Sequence, residues 1–258
     1  MSISLEHLEF YILVLVRISG FILTAPLFSL KNVPQKVKVG LAVCLTIIIS
    51  SVLPYESFTY DTVMDYVGIV LTEMLGGVIL GFFANVAYYI LSFAGQTIDM
   101  EIGFSMASQF DPITSSQVTI TGNLYMYAVM IMLIITDMHH YIIKALADSF
   151  TVLPVGTISI NPNIYHLMAT FIKEYFVLGF RIVLPMFASI LVVNVILGIL
   201  AKVAPQMNMF VIGLQLKIFV GFFVLIIMFM MLRGVSDAIF NEMMSLLKNA
   251  VQYLSLGS

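Results

Sequence analysis

The few charges of this chain sit where a strongly apolar sequence should have none. Of its 258 residues, 61% are hydrophobic and 10% charged, and its mean hydropathy is +1.07. Yet Arg17, Glu73, Lys173, Glu174, Arg181 and Lys217 lie inside the apolar runs. An ionisable group at bilayer depth costs at least about 2.5–3.5 kcal/mol on insertion scales, so each needs a partner, a wet cavity or protein around it. That pattern excludes a simple anchor. It points to a chain that is lined, packed or conducting.

Apolar runs fall at 8–30, 37–53, 67–93, 124–147, 164–202 and 209–232. Most can cross a hydrocarbon core of about 30 Å, which takes roughly 20 helical residues. The fifth is too long for one crossing, and Pro185 within it predicts a kink or break. The expectation is an all-α membrane-associated protein of about six bent hydrophobic helices in a single body. No stretch is polar enough for a soluble domain, and no repeat or low-complexity tract appears. A net charge of −3 with 11 Lys+Arg gives no footprint for nucleic acid. The single Cys44 reads as a small packed hydrophobe, which leaves no disulfide within the chain. The N-terminus has no basic region or small-residue cleavage site, so it does not read as a removed signal peptide.

Loop charge gives a mixed topology. Lys31, Lys36 and Lys38 place the first connection in the cytoplasm, and Glu56, Asp61 and Asp65 place the second outside. The connection 94–123 should then be cytoplasmic, but it carries Asp99, Glu101 and Asp111 and no basic residue. Either the rule fails here, or several hairpins pack against other proteins instead of lipid. The same connection mixes Gly, Ser, Thr, Asp and Pro with Phe104, Met106 and Phe110 between Gly103 and Gly122. Irregular backbone at membrane depth is tolerated only when buried in protein or lining a water-filled cavity. Its Phe and Met side chains suit a packed constriction better than a solvated loop.

Catalytic motifs are missing. There is no nucleophile elbow, H-E-x-x-H, P-loop or G-x-G-x-x-G, and no cofactor or metal is expected. His139 and His140, with Asp137 nearby, invite a metal, but adjacent helical residues point about 100° apart and the i,i+4 zinc spacing is absent. The stretch Asn194–Phe223, NVILGILAKVAPQMNMFVIGLQLKIFVGF, reads as two apolar arms joined by a turn. Its tip holds Lys202, Pro205, Gln206, Met207 and Asn208. Lys217 lies well inside the returning arm, where snorkelling is difficult, so it needs a carboxylate or carbonyl from elsewhere.

This hairpin resembles the signature of the FliR family, membrane proteins of the flagellar and type III secretion export gate. Three further stretches match in order. VRISGFILTAPLFSLKNVPQKVKVGLA carries Arg17, Pro26 and Pro34; GQTIDMEIGFSMASQFDPITSSQ carries Asp99, Gly103, Phe110, Asp111 and Pro112. DMHHYIIKALADSFTVLPVG resembles the flagellar branch at Asp137, His139, Ser149, Pro154 and Gly156.

The resemblance implies a subunit of a hetero-oligomeric pore in the bacterial inner membrane, at the flagellar basal body. Its partners would be FliP-like and FliQ-like subunits and an FlhB-like protein, and its cargo unfolded flagellar subunits. It implies a FliP-like half, 1–160, and a FliQ-like hairpin half, 161–258. The loop 103–122 would be a plug, with Gly103, Phe104, Met106, Phe110, Asp111, Pro112, Ile113, Val118 and Gly122 in it. Arg17, Glu73, Asp99, Lys173, Glu174, Arg181 and Lys217 are assigned to pairing between helices or subunits. The residues alone fit a second class equally well, a small-solute or ion transporter with charges at the midplane and proline-broken helices. That class predicts inverted repeats, and no inverted copy of the hairpin is visible at the start of the chain.

Overall fold

The apolar runs become helices whose ends are set by glycine, proline and polar residues. A computed structural model describes residues 5–30, 32–54, 60–104, 119–159 and 161–255. Among these residues the helices are α1 (Leu5–Thr24), α2 (Gln35–Val52), α3 (Val63–Ile102), α4 (Ile120–Ile135), α5 (Met138–Val152), α6 (Ile164–Val203), α7 (Met209–Met230) and α8 (Leu232–Ser255). No strand occurs among the described residues. Helices α1, α2, α3, α6 and α7 are each long and apolar enough to cross a membrane, and α4 with α5 could make a sixth span. The protein is all-α and membrane-type.

Four features depart from the sequence expectations. The fourth run is two helices, because Asp137 takes the left-handed conformation at φ 58 between α4 and α5. Aspartate tolerates that region better than most side chains. The break expected at Pro185 does not occur: α6 runs through it from Ile164 to Val203. Pro185 is exposed, so its ring disturbs no packed neighbour, and the Ser189 hydroxyl donates to its carbonyl at 2.8 Å. The last helix, α8, was hidden because it is amphipathic. Ile239, Met243, Leu246, Leu247, Ala250 and Leu254 are buried at helical spacing, while Arg233, Asn241, Ser245 and Lys248 are exposed. Cys44, expected to be packed, is exposed.

The helices distribute over two compact units. One comprises Met1–Ala87, Asp137–Ile172 and Phe240–Ser258. Its buried core includes Leu13, Val14, Ile18 and Phe21 of α1, Leu80 and Phe83 of α3, Leu146 and Phe150 of α5, and Met243 of α8. Backbones of α1 and α3 approach closely through Gly77 and Gly81, where an added Cβ would collide with the Arg17 carbonyl and the Phe21–Thr24 turn. Small residues four apart are the usual device for such contact between apolar helices.

The second unit comprises Tyr88–Thr136 and Lys173–Ile239. Ile98 and Ile102 of α3, Tyr125, Val129 and Leu133 of α4, and Met186 and Ile190 of α6 are buried in it. Here α3 meets α4 at Gly95 and Gly122, where a Cβ on Gly95 would lie on the Gly122 backbone. Phe93 of α3 stands edge-on to Phe176 and Phe180 of α6, at 5.4 and 5.6 Å between ring centroids.

Candidate functional site: a buried ion pair and an uncovered hairpin

Two charges expected to need partners find each other. Arg17 on α1 and Glu73 on α3 are fully buried. The guanidinium donates through Nε to Glu73 Oε2 at 2.6 Å and through Nη2 to Oε1 at 2.9 Å. Its Nη1 donates to the Leu153 carbonyl at 2.9 Å, and the Gly156 amide donates to Glu73 Oε1 at 2.8 Å. Phe150 lies beneath the guanidinium, 4.1 Å from its carbon to the ring centroid. A paired fork is the strongest form of charged hydrogen bond, and the ring adds cation–π attraction. Burial of such a pair is tolerable only when the remaining donors and lone pairs are satisfied, and here the turn 153–156 supplies that. The sequence flagged Arg17 and Glu73 but not this turn, whose only outward signal was Pro154 and Gly156 after an apolar run.

Asp99, on the last turns of α3, is also buried. Both its carboxylate oxygens accept from the Thr121 amide, at 3.2 and 3.3 Å. Thr119, at the N-cap of α4, makes no side-chain cap bond, so Asp99 supplies from another helix the acceptor that the α4 N-terminus lacks. Gly103, at φ 96, ends α3, and Phe104 meets Phe222 of α7 edge-on at 5.6 Å. Gly122 is buried against α3. Of the residues assigned to a plug, Met106, Phe110, Asp111, Pro112, Ile113 and Val118 lie outside the described residues.

Four more of the charges flagged in the sequence form no ion pair among the described residues. On α6, Lys173 and Arg181 are exposed and Glu174 half-buried; on α7, Lys217 is half-buried. None has an ion pair among the described residues. At the tip between the two helices, Lys202, Pro205, Gln206, Met207 and Asn208 are exposed. Asn208 caps α7 by accepting from the Phe210 amide at 3.2 Å, and the Met207 amide closes the turn on the Ala204 carbonyl at 3.2 Å. The arms are apolar almost all round yet little covered: the most apolar stretches of α6 and α7 are only 28% and 22% buried.

Asp137, His139 and His140 are closer than helical geometry suggested. The two imidazoles lie tilted against each other with centroids 4.0 Å apart, and one ligand atom from each of the three residues lies within 4.8 Å of the others. The correction follows from their place in the first turn of α5, where the side chains lean together past the bend at Asp137. The positive end of a helix opposes a cation there, and His140 Nδ1 stands 3.5 Å from Asp137 Oδ1.

Fold and site define an all-helical membrane protein that satisfies one ion pair internally and leaves a charged apolar hairpin uncovered. Residues 8–243 match the family described as bacterial export proteins, family 1, and the chain belongs to that family, that of the FliR proteins. It is 30% identical to the flagellar biosynthetic protein FliR of Pectobacterium carotovorum subsp. carotovorum, over 93% of this chain and 92% of that one. To the protein of that name from Bacillus subtilis (strain 168) it is 31% identical, over 92% and 94%. To that of Escherichia coli (strain K12) it is 28% identical, over 98% and 96%.

Proposed function

We propose that this chain is a non-enzymatic subunit of the flagellar type III protein export gate. It forms part of the pore through which unfolded flagellar subunits cross the inner membrane at the basal body. Similarity to proteins named flagellar biosynthetic protein FliR along nearly the whole chain supports the assignment. The observation that carries the pore reading is the charge on the hairpin: Lys173 and Arg181 on α6 and Lys217 on α7 have no ion pair among the described residues, a need that lipid tails do not meet. Its partners are FliP-like and FliQ-like subunits, with an FlhB-like protein in contact, and the halves 1–160 and 161–258 correspond to the two small partners. Lys217, half-buried with no ion pair among the described residues, takes its counter-charge from one of them. The chain carries no nucleotide-binding motif, so energy for transport comes from other components. The plug is the connection between α3 and α4, short of Gly122, which belongs to α4, with Phe110, Ile113 and Val118 as its apolar closure.

Affinity purification in mild detergent, followed by native mass spectrometry, tests this reading. A large assembly that holds one copy of this chain with two kinds of small hydrophobic partner is the expected result. A monomer or homodimer, recovered with candidate partners co-expressed, would overturn it.

A further inference from the structure

One stripe of α6 is badly matched to both lipid and water. Lys173, Phe176, Val177, Phe180, Arg181 and Leu184 recur at intervals of three and four and so share a helix face. The four apolar members are 46%, 43%, 53% and 57% exposed in chain order, and both cations are exposed. Phe93 holds the rings of Phe176 and Phe180 from the inner side, so the stripe is a preformed surface.

A bilayer serves this face poorly, because only a stretched Arg181 could reach the headgroups with the rings between the two cations in hydrocarbon. Between Arg181 and Lys202 the sequence has no charge, and Ile182–Ala201 alone spans a core of about 30 Å at about 1.5 Å per residue. With that stretch in the hydrocarbon, Phe176, Val177 and Phe180 stand outside it against headgroups and water. If the helix slides about 12 Å to bury them, Lys173 reaches the boundary and Arg181 enters the core without a partner. Lipid phosphate meets the cations or lipid tails meet the rings, and one depth serves both only with Arg181 stretched along the helix. A protein surface meets both without that strain.

We infer that this face of α6 docks a helical segment of a partner protein that brings carboxylates to Lys173 and Arg181 and apolar side chains between them. The two cations are about 12 Å apart along the helix, so the partner's acids lie seven or eight positions apart. Aromatic residues and arginine are what the buried centre of a protein interface favours. The inference rests on the reading of this chain as one subunit of a hetero-oligomer.

The test uses the full chain co-expressed with its partners, with a benzophenone photo-crosslinking residue at Val177. Irradiated membranes should give a protein adduct whose mapped peptide has an Asp or Glu within about one helical turn of the crosslinked residue. Arg181→Glu should lower both the adduct and the co-purified partner about tenfold or more, and replacing the mapped acid by Arg should restore them. Because Arg181 is exposed, the variant's protease resistance in the membrane should equal the wild type's. Adducts to lipid alone, a mapped segment without an acid, or full partner recovery with Arg181→Glu would each overturn the inference while a wild-type assembly leaves the export-gate reading standing. A wild-type chain that never recovers with partners would overturn both.

Discussion

Arg17 and Glu73, 56 positions apart, meet fully buried as a two-pronged ion pair, with each partner also bonded to the backbone of the turn 153–156. The pair joins α1, α3 and the exit of α5, so its loss is felt by three elements. Removing one partner leaves the other charge buried and uncompensated, which costs about 3–5 kcal/mol. Glu73→Gln and Arg17→Met should each lower the unfolding temperature in detergent and the amount of chain held in the membrane. The double change Arg17→Met with Glu73→Leu should recover much of the loss. Exchanging the two charges should not, since the Leu153 carbonyl would then face a carboxylate and the Gly156 amide a guanidinium. Full recovery by the exchange would mean that the turn plays no part.

The helices over α1, α2, α3, α6 and α7 were legible because uninterrupted apolarity is a strong signal that needs no partner to interpret. Helix α8 was not, for its burial comes from a face and not from a run. Pro185 gave a kink or a break as alternatives, and only the break is overturned, because α6 continues through it with the ring on the exposed side. At the site, misplaced charge picked out Arg17 and Glu73 as residues with needs. It could not say that they meet each other, since that follows from the α1–α3 packing through Gly77 and Gly81. Pro154 and Gly156 stood out as motif positions, but the bond from the Gly156 amide to Glu73 was out of reach, since an amide donor has no sequence signature.

Gly77 is the residue on which that packing depends most. A Cβ there would fall on the Arg17 carbonyl, and because the obstacle is backbone, no rotamer change relieves it. Gly77→Leu should force α1 from α3 and destabilise by about 3 kcal/mol or more, with the ion pair lost as a consequence. Gly68, with nothing within 4 Å of its Cβ position, is the control. Gly68→Ala should stabilise by about 0.5–1 kcal/mol through helix propensity. Thermal unfolding of both variants separates crowding from a general intolerance of α3 to substitution.

Asp99 gives a narrower test. It caps α4 from another helix through the Thr121 amide, so what matters is an acceptor oxygen at that place. Asp99→Asn keeps an oxygen and should be mild, whereas Asp99→Leu should cost about 0.5–2 kcal/mol, the range for a lost N-cap. Hydrogen exchange should quicken at Thr121 and its neighbours in the leucine variant before any global unfolding. Equal protection in the two variants would refute the cap.

Tyr125 is buried, and its hydroxyl has no hydrogen-bond partner among the described residues. An unsatisfied buried polar group costs about 1–3 kcal/mol, so Tyr125→Phe should unfold at higher temperature than the wild type. If the stabilised variant also supports less flagellar assembly, the hydroxyl finds its partner in another state of the protein. A variant less stable than the wild type would show that the hydroxyl is already satisfied.

The plug assignment can be separated from assembly by chemistry instead of deletion alone. A hydrophobic constriction closes by dewetting, which depends on apolar character more than on bulk. Replacing Phe110, Ile113 and Val118 together by Leu should therefore keep the membrane tight to ions, while replacing all three by Ser should make it leak. Shortening the loop by removing Met106–Pro112 should leak as well, with the complex still recovered at wild-type yield. Ion leakage into cells or vesicles that carry each variant reports the outcome. Tight membranes in both the Ser and the shortened variants would place the seal elsewhere in the pore, whereas leakage in the Leu variant would mean that closure depends on side-chain shape as well as apolar character.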